Sequence, residues 1–186
     1  MTGKDKYGTL KEEVSMKKKL IFSAILGFFA LALLLSAQAI PQKCQEITLK
    51  GLDGKNYTLA DFKGKVSLLI FWRSTCPHCR HEMPRIKELY KKYRGVINFV
   101  PVSLDTDEEH FSNYLKELQP NFLIFRSLEL RPCVSEVSKI RGVPTLFLLD
   151  PNLNIVKKFE GTTSNEEIEK ALKTLGIGVE KRLQLR

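Results

Sequence analysis

In 186 residues there are four cysteines, three histidines, three methionines and one tryptophan, and the chain shows no internal repeat and no low-complexity tract. This scarcity limits metal chemistry. A closed zinc site takes four ligands, usually as two pairs at short spacing. Cys76 and Cys79 make one pair, whereas Cys44, Cys133, His81 and His110 stand singly, so no metal site is expected. There is also no basic run interleaved with aromatics. The chain carries 30 Lys and Arg against 21 Asp and Glu; six lysines and three carboxylates fall in the first 39 residues, which leaves 24 against 18 beyond them. That excess is spread over helix faces and turns, which reads as a solvated surface. Nucleic acid is therefore not expected as a partner, while attraction to anionic lipid has the right sign.

What is present begins with an export signal. Lys17-Lys18-Lys19 precede an uncharged stretch over 20–42, most apolar over 20–35, and Ala37-Gln38-Ala39 has the small-x-small form of a cleavage site. The apolar core lies at the upper end of the ~7 to 15 residues of a signal peptide, and the whole stretch reaches the ~20 residues that span a bilayer. A cleaved signal and a retained anchor over 16–39 both stay open. Either way, the preceding lysines place everything after Ile40 outside the cytoplasm, in a periplasm or on the outer face of the membrane. Residues 1–15 are a polar tail or a mis-called start before Met16. Pro41-Gln42-Lys43 lacks the small apolar triplet that precedes a lipidated cysteine. Removing the first 39 of 186 residues leaves 147, which suits one domain over 40–176 and a short tail over 177–186.

Hydrophobic periodicity gives alternating strands and helices. Residues 46–49 and 57–59 flank Leu52-Asp53-Gly54-Lys55 as a hairpin. A loop over 61–65 leads into a buried strand over 66–72. The helix opened by Cys76 carries Met83, Ile86, Tyr90 and Tyr93 on one face, is kinked at Pro84 and stops at Gly95. A second apolar strand covers 96–104, which makes the first half β-α-β. Thr106-x-x-Glu109 has the form of a capping box before Phe111, Tyr114, Leu115 and Leu118, and Pro120 closes that helix. A short strand over 122–125 and a short helix over 134–141 follow. A second hairpin pairs 145–149 with 155–159 across Asp150-Pro151-Asn152, and Ser164-x-x-Glu167 caps a last helix bearing Ile168, Ala171, Leu172 and Leu175.

Cys76-Pro77-His78-Cys79 joins the buried strand to the first helix. Two thiols three residues apart at a helix start open and close a disulfide without unfolding anything. At the N-cap, unpaired N–H groups and the positive end of the helix dipole stabilise a thiolate, which makes Cys76 the nucleophile. Pro77 takes the first helical position, where its missing N–H costs nothing. Cys79, one turn later and more buried, attacks a mixed disulfide held on Cys76. His78, when protonated, adds positive charge beside the thiolate.

The stretch Leu59-Ala60-Asp61-Phe62-Lys63-Gly64-Lys65, leading into Phe71-Trp72-Arg73-Ser74-Thr75-Cys76-Pro77-His78-Cys79-Arg80-His81-Glu82-Met83-Pro84, with Gly142-Val143-Pro144-Thr145 downstream, resembles the TlpA/ResA branch of the thioredoxin superfamily. The resemblance covers about residues 46–175. It implies an α/β thioredoxin-like fold, a central mixed sheet flanked by helices, with an N-terminal β-hairpin. It also implies an extracytoplasmic thiol-disulfide oxidoreductase, commonly membrane-anchored, that acts on protein thiols and disulfides with no cofactor beyond its own cysteine pair. Many members keep the haem-attachment cysteines of apocytochrome c reduced, fed by a membrane electron donor of the DsbD/CcdA type. Carried over by motif, Cys76 and Cys79 are the nucleophilic and resolving cysteines and Pro144 is the cis-proline, although an X-Pro bond in general is cis only about 5–6% of the time. A cis bond there turns the Val143 backbone outward beside Cys76, where it can pair with an extended substrate. Glu82 falls on a helix glutamate that raises thiol pKa values by its charge or accepts the proton of Cys79; by residue type alone it is a solvated helix position. Trp72 shields the site under the same resemblance, and is plain core by residue type.

Three features depart from the family pattern. Pro77-His78 is the pair typical of oxidising DsbA proteins, and a stabilised thiolate makes a disulfide a better oxidant. Thr75 stands where a second tryptophan is frequent, so part of the apolar substrate surface beside Cys76 is missing. Ile70 stands where some thioredoxins bury a carboxylate. Cys44 and Cys133 carry two open readings: a structural disulfide, as an oxidising compartment favours, or two free thiols with Cys133 buried as a small apolar residue. Three functions follow. The first is a disulfide reductase serving cytochrome c maturation; the second is a DsbA-like dithiol oxidase, disfavoured because no inserted helical domain fits between Gly95 and Gly142. The third is a Cu(I) metallochaperone, disfavoured because no methionine lies beside the pair.

Overall fold

The computed structural model describes residues 38–178, so the expected leader up to residue 37 and most of the expected tail lie outside the described residues. In chain order the elements are α1 (Gln42–Gln45), β1 (Leu49–Gly51), β2 (Asn56–Tyr57), a 3-10 turn (Leu59–Phe62), β3 (Ser67–Trp72), α2 (Pro77–Tyr93), β4 (Asn98–Ser103), α3 (Glu108–Leu118), β5 (Phe125–Arg126), α4 (Leu130–Ser135), β6 (Thr145–Leu149), β7 (Ile155–Glu160) and α5 (Asn165–Thr174). Among the described residues no helix is long and apolar enough to cross a membrane.

β3 is buried along its whole length, as expected of a continuous apolar run that is covered on both faces. It pairs parallel with β4, from Ser67 opposite Asn98 to Trp72 opposite Ser103, and antiparallel with β6. The full sheet runs β2-β1-β5-β4-β3-β6-β7. It is mixed, with β4–β5 parallel and β1–β2, β1–β5 and β6–β7 antiparallel. Side chains alternate across it. Leu68, Ile70 and Trp72 pack with Met83, Ile86 and Leu89 of α2, Phe111 and Tyr114 of α3, and Ile168 and Leu172 of α5. On the opposite face Leu69, Phe71, Val100 and Val102 pack with Ile40, Cys44, Leu130 and Val134. The chain is a thioredoxin-like α/β fold with an N-terminal hairpin.

Several boundaries differ from the sequence reading. The first hairpin pairs Leu49 with Tyr57, two or three residues further along on its first arm, and Leu59 belongs to the 3-10 turn. The N-cap of α3 is Asp107, which accepts from the His110 N–H over 2.9 Å, so the Thr106 capping box does not form; the ionised oxygen of Asp107 is the stronger acceptor. The strand expected over 122–125 lies at Phe125–Arg126, because Phe122 and Ile124 turn into the core beneath the helices. The short helix lies at Leu130–Ser135 instead of 134–141. Pro132 falls in its first turn, where a missing N–H is tolerated, and Ile140 reaches the core from an irregular segment. Ile177, assigned above to the tail, is 8% exposed and packs on the core.

Pro84 leaves the Arg80 carbonyl without its helical donor. The Tyr114 hydroxyl of α3 donates to that carbonyl over 3.5 Å. At the first described residues, the Ile155 N–H donates to the Gln38 carbonyl and the Ile40 N–H to the Leu153 carbonyl, which lays residues 38–40 along the start of β7 and the turn before it.

Candidate active site

Cys76 is the N-cap of α2, with extended backbone angles, and Pro77 follows at the first helical position. Both cysteines are free thiols, Cys76 half-buried and Cys79 buried. The Cys79 N–H donates to the Cys76 sulfur over 3.4 Å, and the Cys76 S–H donates to the Val143 carbonyl, also over 3.4 Å. The Val143–Pro144 peptide is cis. The loop is held from both sides: the Thr145 hydroxyl donates to the Gly142 carbonyl over 2.7 Å, and the Gly161 N–H donates to the Pro144 carbonyl over 2.9 Å. Pro77, His78 and Thr75 are exposed at the surface around Cys76. Burial pushes the Cys79 thiol well above the ordinary range, and the neighbouring sulfur and the Asp105 carboxylate add to the effect.

Glu82 is fully buried one turn after Cys79. One of its oxygens accepts from the Thr163 N–H over 3.1 Å, and the other has no partner among the described residues. Desolvation raises its carboxyl above the usual range, against the opposing pull of Thr163 and of the Arg85 charge. The reading of Glu82 as a solvated helix residue is thereby overturned. Of the two readings of Trp72, plain core is the one the structure shows and the substrate-facing one is corrected: it is fully buried, 6.1 Å from the Phe111 ring and 5.7 Å from the Tyr114 ring. It supports the strand from below and offers no surface to a substrate.

Cys44 and Cys133 are joined, with a Cα–Cα distance of 5.7 Å. The bond ties α1 to α4 on the sheet face opposite α2. Among the described residues no group of three or more His, Cys, Asp or Glu side chains could hold a metal ion.

Sequence reasoning missed Asp105. It is 5% exposed; both its oxygens accept from the Ser74 N–H over 3.0 Å, and it also accepts from the hydroxyls of Ser74 and Ser103 over 2.7 Å each. Asp105 thus fixes the backbone of the loop that carries Cys76. A carboxylate just past the C-terminal end of a central parallel strand was the available signal, since sites in such sheets gather there.

The geometry is a thiol pair at a helix start facing a cis-proline loop, on a thioredoxin-like sheet. Residues 64–155 match the Thioredoxin-like family. A thiol-disulfide oxidoreductase ResA of Bacillus thuringiensis subsp. konkukian (strain 97-27) is 32% identical over 143 residues, which cover 73% of this chain and 78% of the relative. This chain belongs to the TlpA/ResA-like thiol-disulfide oxidoreductases of the thioredoxin superfamily. The thioredoxin-like protein YneN of Bacillus subtilis (strain 168) is 30% identical over 131 residues, 70% of this chain and 77% of YneN. Among solved structures, a DsbE-type interchange protein of Chlorobium tepidum superposes with a TM-score of 0.63 at 23% identity, over 74% of this chain and 95% of that one. StoA of Bacillus subtilis gives 0.56 at 23% identity, over 67% and 94%. As a member of this ResA-like group, the chain exchanges thiols and disulfides.

Proposed function

We propose that this ResA-like protein is an extracytoplasmic reductase of protein disulfides, serving the haem-attachment cysteines of apocytochrome c, and that it is recharged by a membrane dithiol donor of the DsbD/CcdA type. The export pattern before Ile40 supports the compartment, and the relatives named ResA support the role. The observation that carries the direction is the burial of Cys79 and, one turn later on the same helix, of Glu82. Burial raises the Cys79 thiol and so disfavours its thiolate, and a reduced pair whose thiolate form is disfavoured gives up its electrons readily.

The steps balance as a two-electron exchange. The Cys76 thiolate attacks one sulfur of a substrate disulfide, forms a mixed disulfide and releases the other substrate sulfur as a thiolate. Cys79 passes its proton to Glu82 and attacks the Cys76 sulfur. The Cys76–Cys79 disulfide forms, and the second substrate sulfur leaves and takes up a proton. The Val143 backbone, facing Cys76, aligns the extended substrate. Pro144 holds that edge in place, and Pro77 and His78 at the helix start border the attacking sulfur. Thr75 lies at the rim where a substrate would rest. The Cys44–Cys133 bond is structural and does not enter the exchange.

Pro77-His78 favours a second reading, a dithiol oxidase. The reduction potential of the Cys76/Cys79 pair, measured by equilibration with glutathione buffers, separates the two. A value near or below thioredoxin's roughly −270 mV supports the reductase, and one near DsbA's roughly −120 mV supports the oxidase.

A further inference from the structure

Beside the cis-proline loop lies a cleft of about 310 Å³ lined by Arg73, Leu104, Arg131, Gly142 and Val143. Because the Val143 carbonyl accepts from Cys76, the cleft adjoins the reacting sulfur. Two arginines and no carboxylate line it. Elsewhere near the site arginines have acidic partners, Arg80 with Glu117 and Arg126 with Glu108. Arg73 is exposed and Arg131 half-buried, and neither has a carboxylate partner among the described residues. Arg131 donates one guanidinium N–H to the Ile140 carbonyl over 3.0 Å. Its Nε is buried with no acceptor among the described residues.

A guanidinium carries five N–H donors in a planar fork suited to a carboxylate, and a buried donor left unmade is costly. The backbone of Arg131 is fixed as well. It stands on α4, two residues before Cys133, whose bond to Cys44 ties that helix to α1. The cleft is therefore lined by a held cation with an unfilled donor, a second, exposed cation, and an apolar contact in Leu104.

We propose that this cleft is an anion subsite that takes the carboxylate of an Asp or Glu side chain of the polypeptide substrate, so that cysteines with an acidic neighbour are preferred. The proposal rests on the thiol-disulfide reading of Cys76. An extended substrate advances ~3.3 Å per residue and presents alternate side chains to one face, so the carboxylate comes from a residue about two positions from the target cysteine.

The test uses unreactive peptides with Ser in place of the target Cys and Glu or Gln two positions away, titrated onto the whole protein by fluorescence anisotropy. At low salt the Glu peptide binds about tenfold tighter than the Gln peptide, an order of magnitude in keeping with a charge-assisted pair. The gap closes near 1 M salt, where the Debye length is about 3 Å. The exposed-site variant Arg73→Gln narrows the ratio, and Arg73→Gln combined with Arg131→Gln brings it to one. If the double variant does not fold, Arg73→Gln alone decides. Equal or undetectable binding of the two peptides, or a ratio that Arg73→Gln leaves intact, overturns the subsite. Displacement of the Glu peptide by an equal concentration of S-methylglutathione overturns its assignment to polypeptides in favour of a small thiol. Disulfide-linked versions of the same peptides separate the two readings: no turnover with the Glu preference intact removes the role of Cys76 and leaves the subsite standing.

Discussion

Thr163, 81 residues further along the chain, donates its backbone N–H to the Glu82 carboxylate over 3.1 Å. This bond joins the segment before α5 to the middle of α2, inside the core and one turn from Cys79. It secures one oxygen of a fully buried acid, and the other has no partner among the described residues.

The raised carboxyl of Glu82 makes stability depend on pH with a definite sign. Its folded pKa lies above the ordinary value of 4.5, so between the two the folded state holds the proton more tightly than the unfolded state does. The stabilisation is complete below about pH 4.5 and is lost as pH rises through the folded value. Thermal melts of the wild type and of Glu82→Gln across this range should show the wild type losing Tm relative to the variant as pH rises. A constant difference between them would count against a raised pKa.

Glu82→Gln should also slow the second half of the exchange. Loss of a positioned proton acceptor typically costs about 10²- to 10⁴-fold, here in the attack of Cys79 on the mixed disulfide. Stopped-flow release of the second substrate thiol reads this step. Alkylation of Cys76 serves as the control and should remain within about twofold, since that step needs no proton from Cys79.

Reduced protein treated with iodoacetamide near neutral pH should be alkylated at Cys76 and spared at Cys79, because burial holds the Cys79 thiol protonated. Peptide mass mapping gives the answer directly. Cys79→Ala should accumulate substrates as mixed disulfides on Cys76, visible in non-reducing gels of envelope extracts. Cys76→Ala should accumulate none.

The Cys44–Cys133 bond closes a loop with a sequence separation of 89. Long loops restrict the unfolded chain most, and removing such a bond typically costs about 2 to 5 kcal/mol. Replacing both cysteines by serine should lower the denaturant midpoint accordingly, while exchange at Cys76 persists in the fraction that stays folded.

Asp105→Ala should both destabilise and slow the enzyme. It leaves the buried Ser74 N–H without an acceptor, a loss of about 1 to 3 kcal/mol, and frees the loop that carries Cys76. Asp105→Asn keeps an acceptor and removes the negative charge beside Cys79, so the Cys79 thiol should titrate lower and the pair become more oxidising. An unchanged potential in Asp105→Asn would limit Asp105 to a structural role.

Features written in short stretches were legible from the residues. The start of α2 needs only Cys76, Pro77 and the periodic face behind them, and Ser164 with Glu167 does form the capping box of α5. Alternation and apolar runs were enough to place β3, β4, β6 and β7 to within a residue or two. The reading erred where two local signals competed, as Asp107 displaced Thr106 at the start of α3, and where local periodicity ran through a segment that tertiary contacts had claimed, as at Leu130–Ser135.

By itself, then, the sequence determined the thiol pair, its place at a helix start, and the strands and helices that frame it, because each depends on neighbours within about a turn. Only the tertiary structure decided that Glu82 and Asp105 are buried, that Trp72 is core, and that Cys76 faces Val143. Those relations join residues 31, 67 and 81 positions apart. No periodicity along the chain reports such distances; packing two helices and a cis-proline loop around the end of β3 creates them.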